Sequence, residues 1–157
     1  MISFVRGLAV FIGAMFMQWW WNTHFAYWGA APQFLLALTV LIAARRGPVA
    51  AMLIGWVWGL YVDTLRADLF GACALLYALT GYAAGMVRRQ IDLSAPEPLA
   101  ATVFLLTLVC ALGLGVLGAV FSKSFVWVGW TPFLADPFLN SLVVLLAAAA
   151  WEEQGAR

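Results

Sequence analysis

A long stretch of the chain, from Arg46 to Arg88, carries almost no charge. The forty-one residues between these arginines include only three charged side chains, Asp63, Arg66 and Asp68, which lie close to its middle. One membrane-spanning helix needs roughly 20 apolar residues. The stretch is therefore long enough for two spans joined by a short charged turn, and this restricts the chain to a membrane fold.

The overall composition agrees with that restriction. Hydrophobic residues make up 66% of the 157 residues and charged residues 10%, whereas a soluble domain is about half apolar and a quarter charged. The net charge of +1 leaves no basic surface for nucleic acid. Cys73 and Cys110 lie in apolar runs without metal-ligand spacing, so we expect buried free thiols, no metal and no cofactor.

Charges and turn residues divide the chain into six predicted spans of one transmembrane domain that covers residues 1–157. Helices are expected because an unpaired backbone is costly in lipid, and the continuous apolar runs exclude alternating barrel strands. The first run follows Arg6 as in a signal peptide, but no A-x-A site follows it, so we expect a retained span. The predicted spans are 7–21, 26–44, 48–65, 69–87, 99–121 and 133–151.

The cationic residues predict the orientation of these spans. Lys and Arg favour the cytoplasmic ends of spans, and six of the eight fall on one side if the N-terminus is inside. We therefore predict an all-α integral membrane protein with both termini in the cytoplasm. The six inside are Arg6, Arg45, Arg46, Arg88, Arg89 and Arg157, and the two outside are Arg66 and Lys123.

Aromatic residues concentrate at the predicted outer ends of the spans. Indole rings favour the headgroup level of a membrane, so an anchoring belt is favoured over a box that stacks a ligand. His24 lies in this belt without a His, Cys or carboxylate nearby in the sequence, which favours a satisfied interfacial histidine over a metal ligand. The aromatic residues are Trp19, Trp20, Trp21, Phe25, Tyr27, Trp28, Phe125, Trp127 and Trp130.

Asp63 is predicted to lie near the outer edge of the membrane. It follows Arg46 by seventeen residues, or about 25 Å of helix, in a hydrocarbon layer of about 30 Å. A carboxylate there needs a partner, either Arg66 one helical turn away or hydrogen-bond donors across a helix interface. We also predict an outer-face polar cluster, which comprises Asp63, Arg66, Asp68, Lys123, Asp136 and Asn140.

Glycines repeat at intervals of four residues in the third and fourth spans. Gly55 and Gly59 share one helix face with Asp63, and Gly81 and Gly85 form a second pair. Small residues at this spacing let helix backbones approach closely in lipid. They indicate either packing within the bundle or a face for a partner's helix.

Several of these features occur in a fixed order. Pro32 precedes an Arg-Arg-Gly-Pro turn at 45–48, G-x-x-x-G-L-x-x-D at 55–63, L-F-G ending at Gly71, and G-Y-x-x-G at 81–85. In this order the chain resembles the rod-shape-determining protein MreD family over residues 32–89. It departs from the family pattern at Gln33, where the family commonly has Asp, and at 64–68, where a small or polar step such as Ser-Gly often follows the aspartate.

The resemblance implies a multi-pass protein of the bacterial inner membrane that belongs to the cell-elongation machinery. Members of the family associate with the MreC scaffold, and through it with the RodA glycosyltransferase, a class B penicillin-binding protein and MreB. The family is also considered related to the substrate-binding membrane subunits of energy-coupling-factor transporters, which implies a similar six-helix bundle. A non-enzymatic adaptor is therefore the first hypothesis, and a substrate-binding subunit of a vitamin-type transporter is the alternative.

The residues themselves argue against catalysis. No predicted span carries a carboxylate, lysine or histidine near its midplane, as proton or sodium relays usually require. No Ser-His-Asp or Cys-His arrangement is evident, and no phosphate-binding loop follows a strand. We therefore predict no catalytic residues, and we assign Gly55, Gly59, Asp63, Gly71, Gly81 and Gly85 to helix packing or partner binding.

Overall fold

The chain forms a bundle of α-helices. A computed structural model describes residues 2–24, 32–65, 69–121 and 129–155, and in those parts the regular secondary structure is helical. The helices are α1 (Ile2–His24), α2 (Phe34–Arg46), α3 (Pro48–Leu65), α4 (Ala72–Val87), α5 (Pro96–Phe121) and α6 (Trp130–Gly155).

The apolar helices identify a membrane protein. Three helical segments are long and apolar enough to cross a bilayer, namely Pro48–Leu65, Pro96–Phe121 and Trp130–Ala149, and Ala72–Val87 is a shorter apolar helix. The 26 residues of α5 extend for about 39 Å, more than the hydrocarbon thickness of about 30 Å. The number of spans, their orientation and the likeness to transporter subunits stay predictions.

The second helix begins later than the sequence predicts. The expected span starts at residue 26, but Pro32 and Gln33 are not helical and α2 starts at Phe34, while residues 25–31 lie outside the described part. Gln33 has φ −90° and ψ 74°, and proline both lacks an amide donor and restricts the residue before it. The 13 residues of α2 measure about 20 Å, less than a full span.

The short α2 occupies the centre of the bundle. It contacts each of the other five helices, and Leu35, Leu36, Ala37, Val40 and Ala43 are fully buried. Because protein surrounds it, its length need not match the thickness of the lipid. It is the helix around which the others pack.

The α3–α4 pair is the most extensive contact between helices. The two helices run antiparallel, since Gly59 near the end of α3 faces Ala74 near the start of α4, and Gly85 faces Pro48. This pairing places Asp63 at one end of the bundle, and the arginines that end α2 and follow α4 at the other end.

Other helix ends differ from the predicted spans by a few residues. The α4 helix begins at Ala72 rather than 69 because Gly71 adopts a left-handed conformation, with φ 94° and ψ −12°. The α5 helix starts at Pro96, a residue suited to the first helical position because that position needs no amide donor. Cys73 and Cys110 are buried thiols outside any disulfide, which confirms the prediction for both.

Candidate functional site

The carboxylate of Asp63 lies at the junction between α3 and α4. Its side chain is 2% exposed. Oδ2 accepts hydrogen bonds from the backbone N–H groups of Gly71 and Ala74, and Oδ1 accepts one from Cys73, each at 3.0 Å. The donors lie across a helix interface, which is one of the two interpretations of Asp63. The alternative partner, Arg66, lies outside the described residues.

These three hydrogen bonds pair backbone N–H groups at the start of α4 that lack a partner within the helix. The first four N–H groups of an α-helix have no partner within the helix, and an unpaired group in a membrane costs several kcal/mol. Gly71 stands at the N-cap position and has no side chain that could bond to these groups. Asp63 therefore supplies the cap of α4 from the neighbouring helix, and its negative charge also suits the positive end of the helix dipole.

Gly71 allows the chain to enter this cap. A φ of +94° is unfavourable for residues with a Cβ. A Cβ added there would meet no atom within 4 Å, so the requirement for glycine is conformational and not steric. The residue directs its own N–H toward Asp63.

The glycines of α3 face the backbone of α4. A Cβ on Gly55 would lie 2.5 Å from the carbonyl oxygen of Tyr77, and one on Gly59 would lie 2.4 Å from the Cα of Ala74. Because these neighbours are backbone atoms, they cannot move aside as a flexible side chain does. The two glycines set how closely the helices approach.

The glycines of α4 make the reciprocal contacts. A Cβ on Gly81 would lie 2.6 Å from the carbonyl oxygen of Ala51, and one on Gly85 would lie 2.3 Å from the Cα of Pro48. All four glycines therefore contact the neighbouring helix of this chain. While α3 and α4 are packed, a partner's helix has no access to them.

A second set of polar residues connects the start of α2 with α4, α5 and α6. The Oδ1 atom of Asn140 accepts a hydrogen bond from the backbone N–H of Gln33 at 2.7 Å, and its Nδ2 donates to Oγ1 of Thr107 at 3.1 Å. The hydroxyl of Tyr77 donates to Oε1 of Gln33 at 3.3 Å. We call Gln33, Tyr77, Thr107 and Asn140 the Asn140 network. It fixes the start of the central helix.

Three of the six residues of the predicted outer-face polar cluster lie in the described part of the chain. Arg66, Asp68 and Lys123 lie outside the described residues. Asp63, Asp136 and Asn140 are 2%, 5% and 0% exposed, so the described members are buried and do not form a solvent-facing patch. The reason is that helix ends and interhelical contacts require buried hydrogen-bonding groups where no water is present. Asp63 and Asn140 serve different helix ends.

The sequence reasoning missed Gln33, Tyr77, Thr107 and Gln18. The Nε2 of Gln18 donates to the carbonyl oxygen of Pro32 and to Oδ1 of Asn22, each at 3.2 Å, and so connects α1 with the start of α2. A polar residue inside an apolar run is the sequence signal for a buried hydrogen bond of this kind. It does not reveal which distant residue is the partner.

The first part of the aromatic belt lies at the end of α1. Trp19 and Trp20 are 44% and 42% exposed, which suits rings at the headgroup level. Nδ1 of the exposed His24 lies 3.1 Å from the carbonyl oxygen of Trp20, so the imidazole has a local backbone partner. In the part of the chain that the structure describes, no group of three or more His, Cys, Asp or Glu could hold a metal ion. Phe25, Tyr27, Trp28, Phe125 and Trp127 lie outside that part.

A comparison with protein families agrees with this architecture. The family model of the rod shape-determining protein MreD matches residues 1–148. The chain belongs to the MreD family. The match extends the resemblance seen at 32–89 to nearly the full chain, so it includes α1, α5 and α6 as far as residue 148.

Membership of the MreD family has direct consequences. The family comprises membrane proteins that take part in rod shape determination, and the apolar helices of this chain agree with that description. No match was found among curated proteins or among solved structures.

Proposed function

We propose that the chain is a non-enzymatic adaptor of the bacterial cell-elongation complex. It binds an MreC-like scaffold protein in the inner membrane and so links that scaffold to peptidoglycan synthesis. RodA, a class B penicillin-binding protein and MreB are its indirect partners. The observation that carries this proposal is the match of the MreD family model to residues 1–148.

The hydrogen bonds of the buried polar groups support a structural role. Both carboxylate oxygens of Asp63 accept backbone hydrogen bonds, and both ends of the Asn140 amide are engaged. Groups of these types carry out proton transfer or ligand binding in other membrane proteins. Here they hold helix ends, as expected for a protein that presents a fixed surface to partners.

The packing also restricts where the scaffold binds. The small-residue faces of α3 and α4 are covered by each other, so we place the partner's contact on the outer faces of the bundle. The vitamin-transporter alternative gains no support from the family match, and we do not propose it.

Depletion of the chain in a rod-shaped host tests the proposal. Loss of the protein is expected to produce wide or rounded cells, measured as cell width by microscopy, and a plasmid copy is expected to restore rods. A tagged copy is expected to copurify an MreC-like scaffold from detergent extracts. Unchanged rods after verified depletion would contradict the role in cell elongation.

A pair of variants separates folding from partner binding. Asp63→Asn removes an acceptor from the α4 cap, whereas Asp92→Asn makes the same chemical change at an exposed site, where the carboxylate bonds to the backbone and side chain of Ser94. We expect loss of scaffold capture in the first variant to parallel its loss of folded protein. The second variant is expected to behave as the wild type in both measurements.

A further inference from the structure

Four arginines gather at the end of the bundle opposite Asp63. Arg45 and Arg46 complete α2, and Arg88 and Arg89 directly follow α4. All four side chains are exposed, and together they are half of the chain's eight cationic residues. We call these residues the arginine cluster.

Backbone contacts hold the two halves of the arginine cluster together. Gly85, one turn before Arg88, packs so closely on Pro48 that an added Cβ would lie 2.3 Å from the proline Cα. A Cβ on Gly47 would lie 3.8 Å from Nη1 of Arg88. Gly47 itself has φ 91° and ψ 179°, a region essentially restricted to glycine. The turn that follows Arg46 therefore lies beside the Arg88 guanidinium.

Arg46, Arg88 and Arg89 are exposed and concentrate positive charge at this end of the bundle. Among the residues whose side chains the structure describes, none forms an ion pair with Arg46, Arg88 or Arg89. Asp92, in the connection to α5, accepts a hydrogen bond from the N–H of Ser94 at 2.9 Å. The hydrogen bonds from the backbone and the side chain of Ser94 lower the pKa of the Asp92 carboxyl. A site with this charge favours an anionic ligand.

Apolar surface begins directly beside the cluster. Val49, three residues after Arg46, is 60% exposed, and Met86, two residues before Arg88, is 38% exposed. Leu53 and Tyr82 continue these exposed faces along α3 and α4, at 56% and 45%. A ligand bound at the arginines thus has apolar helix surface next to it, which fits a lipid better than an acidic protein segment.

We propose that the arginine cluster binds one anionic phospholipid with two phosphates, of the cardiolipin type. Guanidinium groups form paired hydrogen bonds to phosphate oxygens, and basic sites between membrane helices on the cytoplasmic side are suited to such headgroups. The phosphates lie between the ends of α2 and α4. The acyl chains lie along the exposed apolar faces of α3 and α4.

Native mass spectrometry of the purified, delipidated protein in detergent tests this proposal. We expect one cardiolipin to bind saturably, and more tightly than phosphatidylglycerol or phosphatidylcholine. Inorganic phosphate at the same concentration is expected neither to displace the lipid nor to raise the melting temperature as the lipid does. Equal protection by inorganic phosphate would show a simple anion site and would overturn the assignment to a lipid.

Two double variants of equal net charge make the test specific. In the first, R46Q/R88Q, cardiolipin is expected to bind about tenfold or more weakly. The second, R66Q/K123Q, removes the same charge from the sequence between α3 and α4 and between α5 and α6, and is expected to keep wild-type binding. Equal affinities in the two variants, or binding that never saturates, would refute the site. If R46Q/R88Q does not fold, R46K/R88K serves instead, because it keeps the charge and loses the paired hydrogen bonds.

Discussion

The Oδ2 atom of Asp63 accepts a hydrogen bond from the backbone N–H of Gly71 at 3.0 Å. The two residues are eight positions apart, and they close the connection between the end of α3 and the start of α4. Two more amides of α4 complete the cap. The most extensive helix pair of the bundle is thus held at one end by hydrogen bonds to a buried carboxylate and along its length by glycine contacts.

Removal of the Asp63 carboxylate is expected to destabilise the protein. Asp63→Ala leaves three amides of the cap without an acceptor, two of them buried, and Asp63→Asn keeps only one acceptor oxygen. Hydrogen bonds to charged groups contribute about 1.5–3 kcal/mol each, so we expect the free energy of unfolding to fall by about 2 kcal/mol or more. The loss should be larger for Ala than for Asn.

The measurement is unfolding of the purified protein in mixed detergent micelles. Asp92→Asn is the matched control, since Asp92 also accepts a backbone N–H but is fully exposed. Its stability should fall far less than that of Asp63→Ala, because an exposed hydrogen bond contributes little. An Asp63→Ala protein as stable as the Asp92→Asn protein would show that α4 needs no cap from α3.

A methyl group on the glycine face of α3 is expected to separate the helices. In Gly59→Ala the new Cβ would lie 2.4 Å from the Cα of Ala74 and 2.5 Å from the carbonyl oxygen of Cys73. Overpacking of this kind costs about 1–3 kcal/mol. We expect a lower melting temperature in detergent and a reduced yield of folded protein.

Gly13→Ala provides the control for that substitution. Gly13 is also helical and exposed, but a Cβ there meets nothing within 4 Å. Alanine is the better helix former by about 1 kcal/mol, so this variant should be as stable as the wild type or more stable. Equal losses in the two variants would refute the packing role of Gly59.

The conformational requirement at Gly71 is testable without a steric change. Gly71→Ala places a Cβ in open space but at φ +94°, which costs about 1–2 kcal/mol. Asn tolerates left-handed conformations better than Ala, so Gly71→Asn should be the milder substitution. Thermal unfolding of both proteins checks this order, and a Gly71→Ala protein that melts with the wild type would contradict it.

Local sequence signals predicted α3 well and α2 poorly. Proline at the first position and a glycine before it define the start of α3, and the predicted range 48–65 is the observed one. For α2, the apolar residues before Pro32 predict an early start. The backbone at Pro32 and Gln33 is not helical, because a proline at this point disrupts the helical hydrogen bonds.

The partners of the buried polar residues were less accessible to sequence reasoning. The number of residues from Arg46 to Asp63 predicts that Asp63 lies near a membrane boundary. It leaves hydrogen bonds across a helix interface as one of the two alternatives for its partner. The actual donors are backbone amides, which every residue except proline possesses and which leave no mark in the sequence. Gln33 and Asn140 are 107 positions apart, so their contact depends on how α2 and α6 pack.

Asn140 gives the final prediction, because its side chain joins three helices. Asn140→Ala removes the acceptor for the N–H of Gln33 and the donor to Thr107. A buried group that loses its partner costs about 1–3 kcal/mol, whereas interhelical hydrogen bonds in membranes average about 0.6 kcal/mol. We expect a loss of about 1–2 kcal/mol in the free energy of unfolding, measured in mixed micelles.

Asn22→Ala makes the same change at an exposed residue of α1 and should cost less. If the two substitutions cost the same, the Asn140 network does not stabilise the start of α2.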